Sequence, residues 1–329
     1  MSTLEKKSVL VWATNESRSS NPEFLLPESA GGAATPASIV EALKAIAGLP
    51  PKARASFAVG RCVRGTYAPS DQAKEITKCR SLIQPSRLLA RFSVDRGNSD
   101  AADKHRPVLR GFSFRIGSEG QRSEIFTQSA PVHFSRTCDQ MLAFLQVRIP
   151  GSGGQLNMAE IEAFSAANPE TLRQASYLAA HSPPASLAWT TYWGVHAFPA
   201  TNARGQTRFI KFRVAPVGEE DRLTTARAPD LLHDELECRI AARDVRFSLM
   251  ALLGRPGDPV MDVTLRWPNE DAREQVRLGT IVITGFEPTE TCDELAFNPA
   301  NLAEGIGYPP DEMFAVRCAA YAISQTRRG

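Results

Sequence analysis

Residues 305–321 read GIGYPPDEMFAVRCAAY and carry the pattern that decides the fold. Pro309 and Pro310 bar a helix from continuing back through them, and Asp311 follows as an acid at the start of the run MFAVRCAAYAISQTRR. An acid at the first turn and two arginines at the last match the helix dipole at both ends, so a terminal helix is predicted here. On that helix Arg317 and Tyr321 are four residues apart and share one face, where a guanidinium can lie against the phenol oxygen. A fixed cation beside a phenol favours its anion, and tyrosinate is one of the few side chains that hold a haem iron. The spacing R-x-x-x-Y alone is common and carries little weight.

Working outward, Thr35 and Pro36 open a predicted short helix with Ile39, Val40, Leu43 and Ile46 as its apolar stripe and Gly48 as its stop. Residues 1–34 read as an extended arm, rich in Ser, Gly, Pro and Asn over Asn15–Ala34. Period-two alternation predicts strands around Phe112, Phe114 and Ile116, around Ile210, Phe212 and Val214, and around Met261, Val263, Leu265 and Trp267. Helices are predicted over Thr137–Val147, where Thr137 and Gln140 suggest a capping box, and over Asn168–Ala180, opened by Pro169. These elements add up to an α+β domain over residues 35–329, built around a closed or nearly closed antiparallel sheet.

The 329 residues are 43% hydrophobic and 22% charged, enough for a substantial core and far from a disordered composition. A net charge of +2 provides no field to recruit nucleic acid. The short apolar run Ser8–Ala13 is too brief for a signal-peptide core, and nowhere do 18 apolar residues run together. Six cysteines are spread singly, without a CxxC pair or a zinc-like histidine spacing, and are expected to be reduced thiols. A soluble, cytoplasmic protein is therefore expected.

The segment 305–321 resembles the proximal helix of haem catalases, especially of the small catalase-related peroxidases. ASFAVGRCVRGTYAPS (55–70) resembles that family's distal strand, and LLARFSVDRGNSDAADKHRPVLRGFSFRIG (88–117) its next two strands. EIFTQSAPVHFSRT (124–137) is similar to its distal turn, and YWGVHAFPATNARGQTRFIKFR (192–213) to the barrel segment behind the proximal ligand. The matches follow the family's order and span roughly residues 50–329. They imply a catalase-like antiparallel β-barrel with surrounding helices.

By this resemblance Tyr321 would be the axial ligand of a haem b iron and Arg317 its phenolate partner, with His196 and Asp311 extending the arginine into a charge relay. Arg54, Arg91 and Arg328 fall where the family holds the haem propionates, a task suited to the guanidinium fork. The distal side departs from the pattern. Phe57 stands at the position of the distal histidine, Gln128 at that of the distal asparagine and Met141 at that of a distal phenylalanine, while Ser93 is retained. His133 stands where a phenylalanine is usual. Two readings of it remain open: a relocated general base over the iron, or a polar residue at rest beside an apolar pocket. The resemblance thus implies a haem-dependent, peroxidase-like oxidoreductase acting on an organic peroxide or other organic substrate, and a poor dismutase of hydrogen peroxide. The alternative is a catalytically silent haem-binding sensor, carrier or partner protein. A homodimer is expected, and the chain is too short for the additional C-terminal domain of large catalases.

Overall fold

The computed structural model describes residues 34–50, 52–95, 108–151, 153–181, 184–218 and 232–328. The expected arm, apart from Ala34, lies outside them. Nine strands are present among these residues: β1 (Val59–Pro69), β2 (Ser86–Val94), β3 (Arg110–Ile116), β4 (Ser123–Gln128), β5 (Tyr192–Trp193), β6 (Phe198–Thr201), β7 (Thr207–Pro216), β8 (Val245–Leu253) and β9 (Gln275–Phe286). Their helical counterparts are α1 (Pro36–Ala47), α2 (Ala73–Ile76), α3 (Arg80–Ile83), α4 (Cys138–Gln146), α5 (Met158–Ala167), α6 (Arg173–Ala180), α7 (Leu232–Ala242), α8 (Thr289–Glu294) and α9 (Glu312–Thr326).

Every strand pairing is antiparallel, in the order β5-β4-β3-β2-β1-β9-β8-β7, and β7 pairs back onto β5. Eight strands therefore close into a barrel without a free edge, while β6 branches off β7. The alternation visible in the sequence decides which side chains go inside. Phe92, Phe112, Phe114, Tyr192 and Phe247 fill the interior, with Phe92 and Phe112 stacked at 4.4 Å and Phe112 and Phe247 at 5.4 Å. Burying each such ring contributes about 1.5–3 kcal/mol. The intervening residues point outward, and on β2, β3 and β4 they make the floor of the site described below.

Three helices pack over that floor, α1 touching both α4 and α9. Thr35 accepts a hydrogen bond from the Ser38 amide at 3.1 Å, Pro36 occupies the first turn, and Gly48 ends α1 in the left-handed region at φ 59°. Thr137 caps α4 through the Gln140 amide, but the Gln140 side chain returns to the Arg136 amide at 3.1 Å, one residue earlier than a capping box requires. Asp311 caps α9 by accepting from the Phe314 amide at 2.9 Å.

Three expectations are corrected. Met261–Trp267 is a series of turns rather than a strand, because the Asp262 carboxylate accepts from the Thr264 amide at 2.9 Å and hydroxyl at 2.7 Å and folds the backbone locally. The segment Asn168–Ala180 divides into a 3-10 turn, Pro169–Leu172, and α6. Cys62 and Cys292 are not reduced thiols but a disulfide across 230 residues, made because α8 lies against β1 and brings their Cα atoms to 5.3 Å. This bond removes the cysteine argument for a cytoplasmic location, since stable disulfides belong mostly to oxidising compartments. Among the described residues, no helix is long and apolar enough to cross a membrane.

Candidate functional site

A cavity of about 570 Å³ lies between the outer face of the barrel and helices α1, α4 and α9. Its floor follows from strand register. One cross-strand row runs Arg91, Ser113, Phe126, and the next runs Ser93, Gly111, Gln128, Trp193. Small residues at Ser93, Gly111 and Ser113 keep this floor low. A Cβ added at Gly111 would stand 2.6 Å from Ser93 Oγ and 3.2 Å from the Phe57 ring, so the surface there is already closed by its neighbours.

Helix α9 supplies the chemistry on one side. Tyr321 and Arg317 both line the cavity. The Tyr321 ring meets Phe126 edge-on at 4.9 Å, and the Arg317 guanidinium sits 5.8 Å from the same ring. Among the described residues the Tyr321 hydroxyl has no hydrogen-bond partner, leaving an oxygen donor uncommitted on the cavity wall. Arg317 Nη1 donates to His196 Nε2 at 2.9 Å, and His196 Nδ1 lies 2.9 Å from the Asp311 carboxylate. A guanidinium can only donate, so Nε2 must accept and the imidazole proton resides on Nδ1, facing Asp311. His196 and Asp311 are both buried behind the wall. Burial, reinforced by Arg317, pushes the His196 pKa below its ordinary value and keeps the ring neutral. Burial alone would raise the Asp311 carboxyl, but the facing His196, the Phe314 amide and Arg317 outweigh it and hold the carboxyl below its usual range. Order along the relay is therefore carboxylate, imidazole, guanidinium.

Phe57 forms part of another stretch of wall and departs from regular backbone, with φ 49° in the left-handed region. A bulky residue held there costs on the order of 1–3 kcal/mol and needs external support. Arg91 gives that support: Nη1 donates to the Phe57 carbonyl at 2.9 Å and Nη2 to the Ala58 carbonyl at 3.0 Å. Gly60 makes room for this arginine, since a Cβ there would stand 2.6 Å from the Arg91 guanidinium carbon. Ser93 donates to the Gly111 carbonyl at 3.4 Å.

The remaining sequence-derived candidates also line the cavity. Arg54 Nη2 donates to the carbonyls of Cys292 and Leu295 at 2.8 and 2.7 Å, which ties this arginine to the disulfide-linked segment. Arg328 follows the end of α9, and Met141 belongs to the buried cluster beneath α1 and α4. Gln128, at the position of the distal asparagine, commits its amide locally: its Nε2 donates to the Ala130 and Val132 carbonyls and holds its own turn. His133 is buried, with Nδ1 engaged by Ser135 at 3.0–3.2 Å. Burial first, then the positive Arg317, drives its pKa down to about 3. The ring is therefore neutral and roughly a thousandfold weaker as a base than free imidazole. Its electrostatic neighbours Arg317, His196 and Asp311 belong to the α9 relay. Phe126, Trp193 and Arg148 were not singled out as site residues from the sequence. The first two could have been found from the outward-facing alternation of their strands, whereas nothing local marks Arg148.

Tyr321 provides one phenol oxygen as a donor on the cavity wall. Among the described residues no group of three or more His, Cys, Asp or Glu side chains could hold a bare metal ion. A single phenol oxygen would suit a prosthetic group that carries its own metal ligands, and the low floor would leave room for a planar one.

A closed antiparallel barrel with a helix-covered cavity on its outer face defines an α+β barrel protein. The chain belongs to the catalase family: the family model described as Catalase matches residues 49–245, more than half of its length. A protein named catalase-related peroxidase from Synechococcus elongatus is 29% identical over 310 residues, covering 89% of this chain and 88% of that one. A second protein of that name, from Mycolicibacterium paratuberculosis, is 29% identical over 302 residues, covering 89% and 94%. The solved structure of a fungal catalase superposes with a TM-score of 0.72 at 20% identity, covering 84% of this chain but 59% of that longer one.

Proposed function

We propose that the chain is a haem-dependent oxidoreductase of peroxidase type, acting on an organic peroxide or another organic substrate, with little hydrogen-peroxide dismutation. The observation that carries this reading is the pairing, in one cavity, of the Tyr321–Arg317–His196–Asp311 assembly with Phe57 in place of a titratable group. Tyr321 would hold the iron of haem b through its phenol oxygen, and Arg54, Arg91 and Arg328, which line the same cavity, would meet its propionates with the donors they do not spend on backbone carbonyls. Bound there, haem supplies the redox-active iron needed to cleave a peroxide O–O bond.

The chain's own residues perform four tasks. Arg317, one helical turn from Tyr321, would set a positive charge beside the phenol oxygen when that oxygen binds the iron. His196 fixes the guanidinium, and Asp311 fixes the imidazole tautomer, so the positive charge stays beside the phenol. Phe57 and the apolar walls exclude water and favour an organic ligand. His133, neutral and weakly basic, retains little capacity to move a proton. Loss of a general acid–base typically costs about 10²–10⁴ in rate, which is the basis for expecting poor dismutation.

Turnover of hydrogen peroxide, cumyl hydroperoxide and a fatty-acid hydroperoxide tests this reading. Activity with the organic peroxides above that of free haemin is expected, together with a gain in hydrogen-peroxide turnover for Phe57→His. No activity above free haemin with any of the three would overturn the enzyme reading in favour of a silent haem binder.

A further inference from the structure

Part of the cavity wall is made by α1 and α4, with Leu43, Ile46, Met141, Phe144 and Leu145 as its apolar surface. Arg148, just beyond the last turn of α4, lines the same cavity. Unlike the other cavity arginines, it belongs neither to the barrel, nor to the segment before β1, nor to α9 and its end. Its guanidinium carbon lies over the Phe144 ring, 3.6 Å from the centroid, and 6.0 Å from that of Phe164. Nη1 donates to the Phe144 carbonyl at 2.9 Å and Nη2 makes a long contact of 3.5 Å with Ser165 Oγ.

These bonds use only part of a five-donor group. Among the described residues no carboxylate lies within ion-pair distance of Arg148. Capping the α4 C-terminus accounts for one bond and for the favourable placement of a cation near the helix end. It does not account for a half-buried cation, held rigid by an aromatic platform, at the margin of an apolar wall. Burial lowers the Arg148 pKa, and among the described residues no carboxylate offsets that cost. An anionic ligand would offset it, and a carboxylate matches the guanidinium fork in two parallel hydrogen bonds.

We infer that the cavity receives an amphipathic carboxylic acid, with its carboxylate on Arg148 and its alkyl chain along α1 and α4. This inference rests on the proposed peroxidase reading and narrows it: the reactive substrate would be the hydroperoxide of such an acid, a fatty-acid hydroperoxide being the simplest case. Arg148 is then a specificity residue that selects acids over esters and over uncharged peroxides.

Calorimetric titration of the haem-loaded protein with two unreactive probes, octanoate and methyl octanoate, tests the assignment. Wild type should bind the acid on the order of tenfold or more tighter than the ester, the range expected for hydrogen bonds to a charged partner. Arg148→Met should abolish that preference and Arg148→Lys should keep part of it; Arg148→Gln, which retains polar contacts, serves if the Met variant does not fold. Equal binding of acid and ester by wild type, or a preference that survives Arg148→Met or Arg148→Gln, overturns the inference. Haem content, read from the absorption spectrum of the same samples, separates the two readings. Stoichiometric haem without acid preference removes only the Arg148 assignment, and acid preference in a protein that takes up no haem removes the haem reading.

Discussion

Replacing Asp311 is the most informative structural perturbation, because one buried carboxylate serves both the start of α9 and the far end of the relay. It accepts from the Phe314 amide at 2.9 Å and meets His196 Nδ1 at 2.9 Å. Losing an N-cap costs about 1 kcal/mol. Losing a hydrogen bond to a charged group costs about 1.5–3 kcal/mol. Asp311→Ala should therefore destabilise by about 2.5–4 kcal/mol. An unfolding entropy of ~2.1 cal/mol/K per residue gives about 0.7 kcal/mol/K for a chain of 329 residues, so the melting temperature should fall by about 4–6 °C. Asp311→Asn keeps the cap and an acceptor for His196 and should lose about half as much. The carboxyl titrates below its usual range, so its contribution is present above about pH 4 and disappears only as the pH falls through the lowered value. Differential scanning calorimetry at pH 7 and at pH 3 measures both effects. A drop under 1 °C for Asp311→Ala at pH 7, or equal effects of Ala and Asn, would refute the claim that this carboxylate organises the helix and the relay.

Two further outcomes follow from other buried groups. The Cys62–Cys292 bond closes a loop of 230 residues, and the chain-entropy account assigns such a closure about 5 kcal/mol; dithiothreitol should lower the melting temperature by about 7 °C, and Cys62→Ser should lose this sensitivity. An unchanged melting curve on reduction would contradict the contribution assigned to the bond. His133 stays unprotonated down to about pH 3 when folded, whereas an unfolded chain binds that proton near pH 6.5. Stability should accordingly fall as the pH drops below 6.5, by up to ~1.4 kcal/mol per pH unit from this group. His133→Phe should flatten urea-unfolding profiles between pH 6.5 and 4, and a parallel profile would show that His133 is not the group responsible.

Much of the frame was legible in the sequence because it depends on local chemistry. Thr35, Pro36 and Gly48 delimit α1, Asp311 begins α9, and the alternations around Phe112 and Phe212 become β3 and β7. Met261–Trp267 alternates as well, but the Asp262 side chain turns the backbone, a bond that periodicity does not register. The site was only partly readable. Tyr321 and Arg317 share a helix face, but that spacing is common, and they gained weight only with His196 and Asp311, which meet across 115 residues and entered through resemblance to a known family. The disulfide depends on α8 settling against β1, which six dispersed cysteines do not reveal. Side-chain commitments were hidden too. Gln128 spends its amide on neighbouring carbonyls, and Arg91 supports the left-handed Phe57. Arg148 has no sequence signature at all, since its significance comes from an aromatic platform and from the lack of a carboxylate partner among the described residues.

The central claim is that Tyr321 is the group around which the cavity is organised as a haem ligand. The absorption and electron paramagnetic resonance spectra of wild type and Tyr321→Phe, each reconstituted with haemin, test it most directly. Wild type should give a high-spin ferric tyrosinate signature that Tyr321→Phe abolishes or alters, while the relay residues and the barrel remain folded. Identical spectra and haem retention in the two proteins would contradict the assignment.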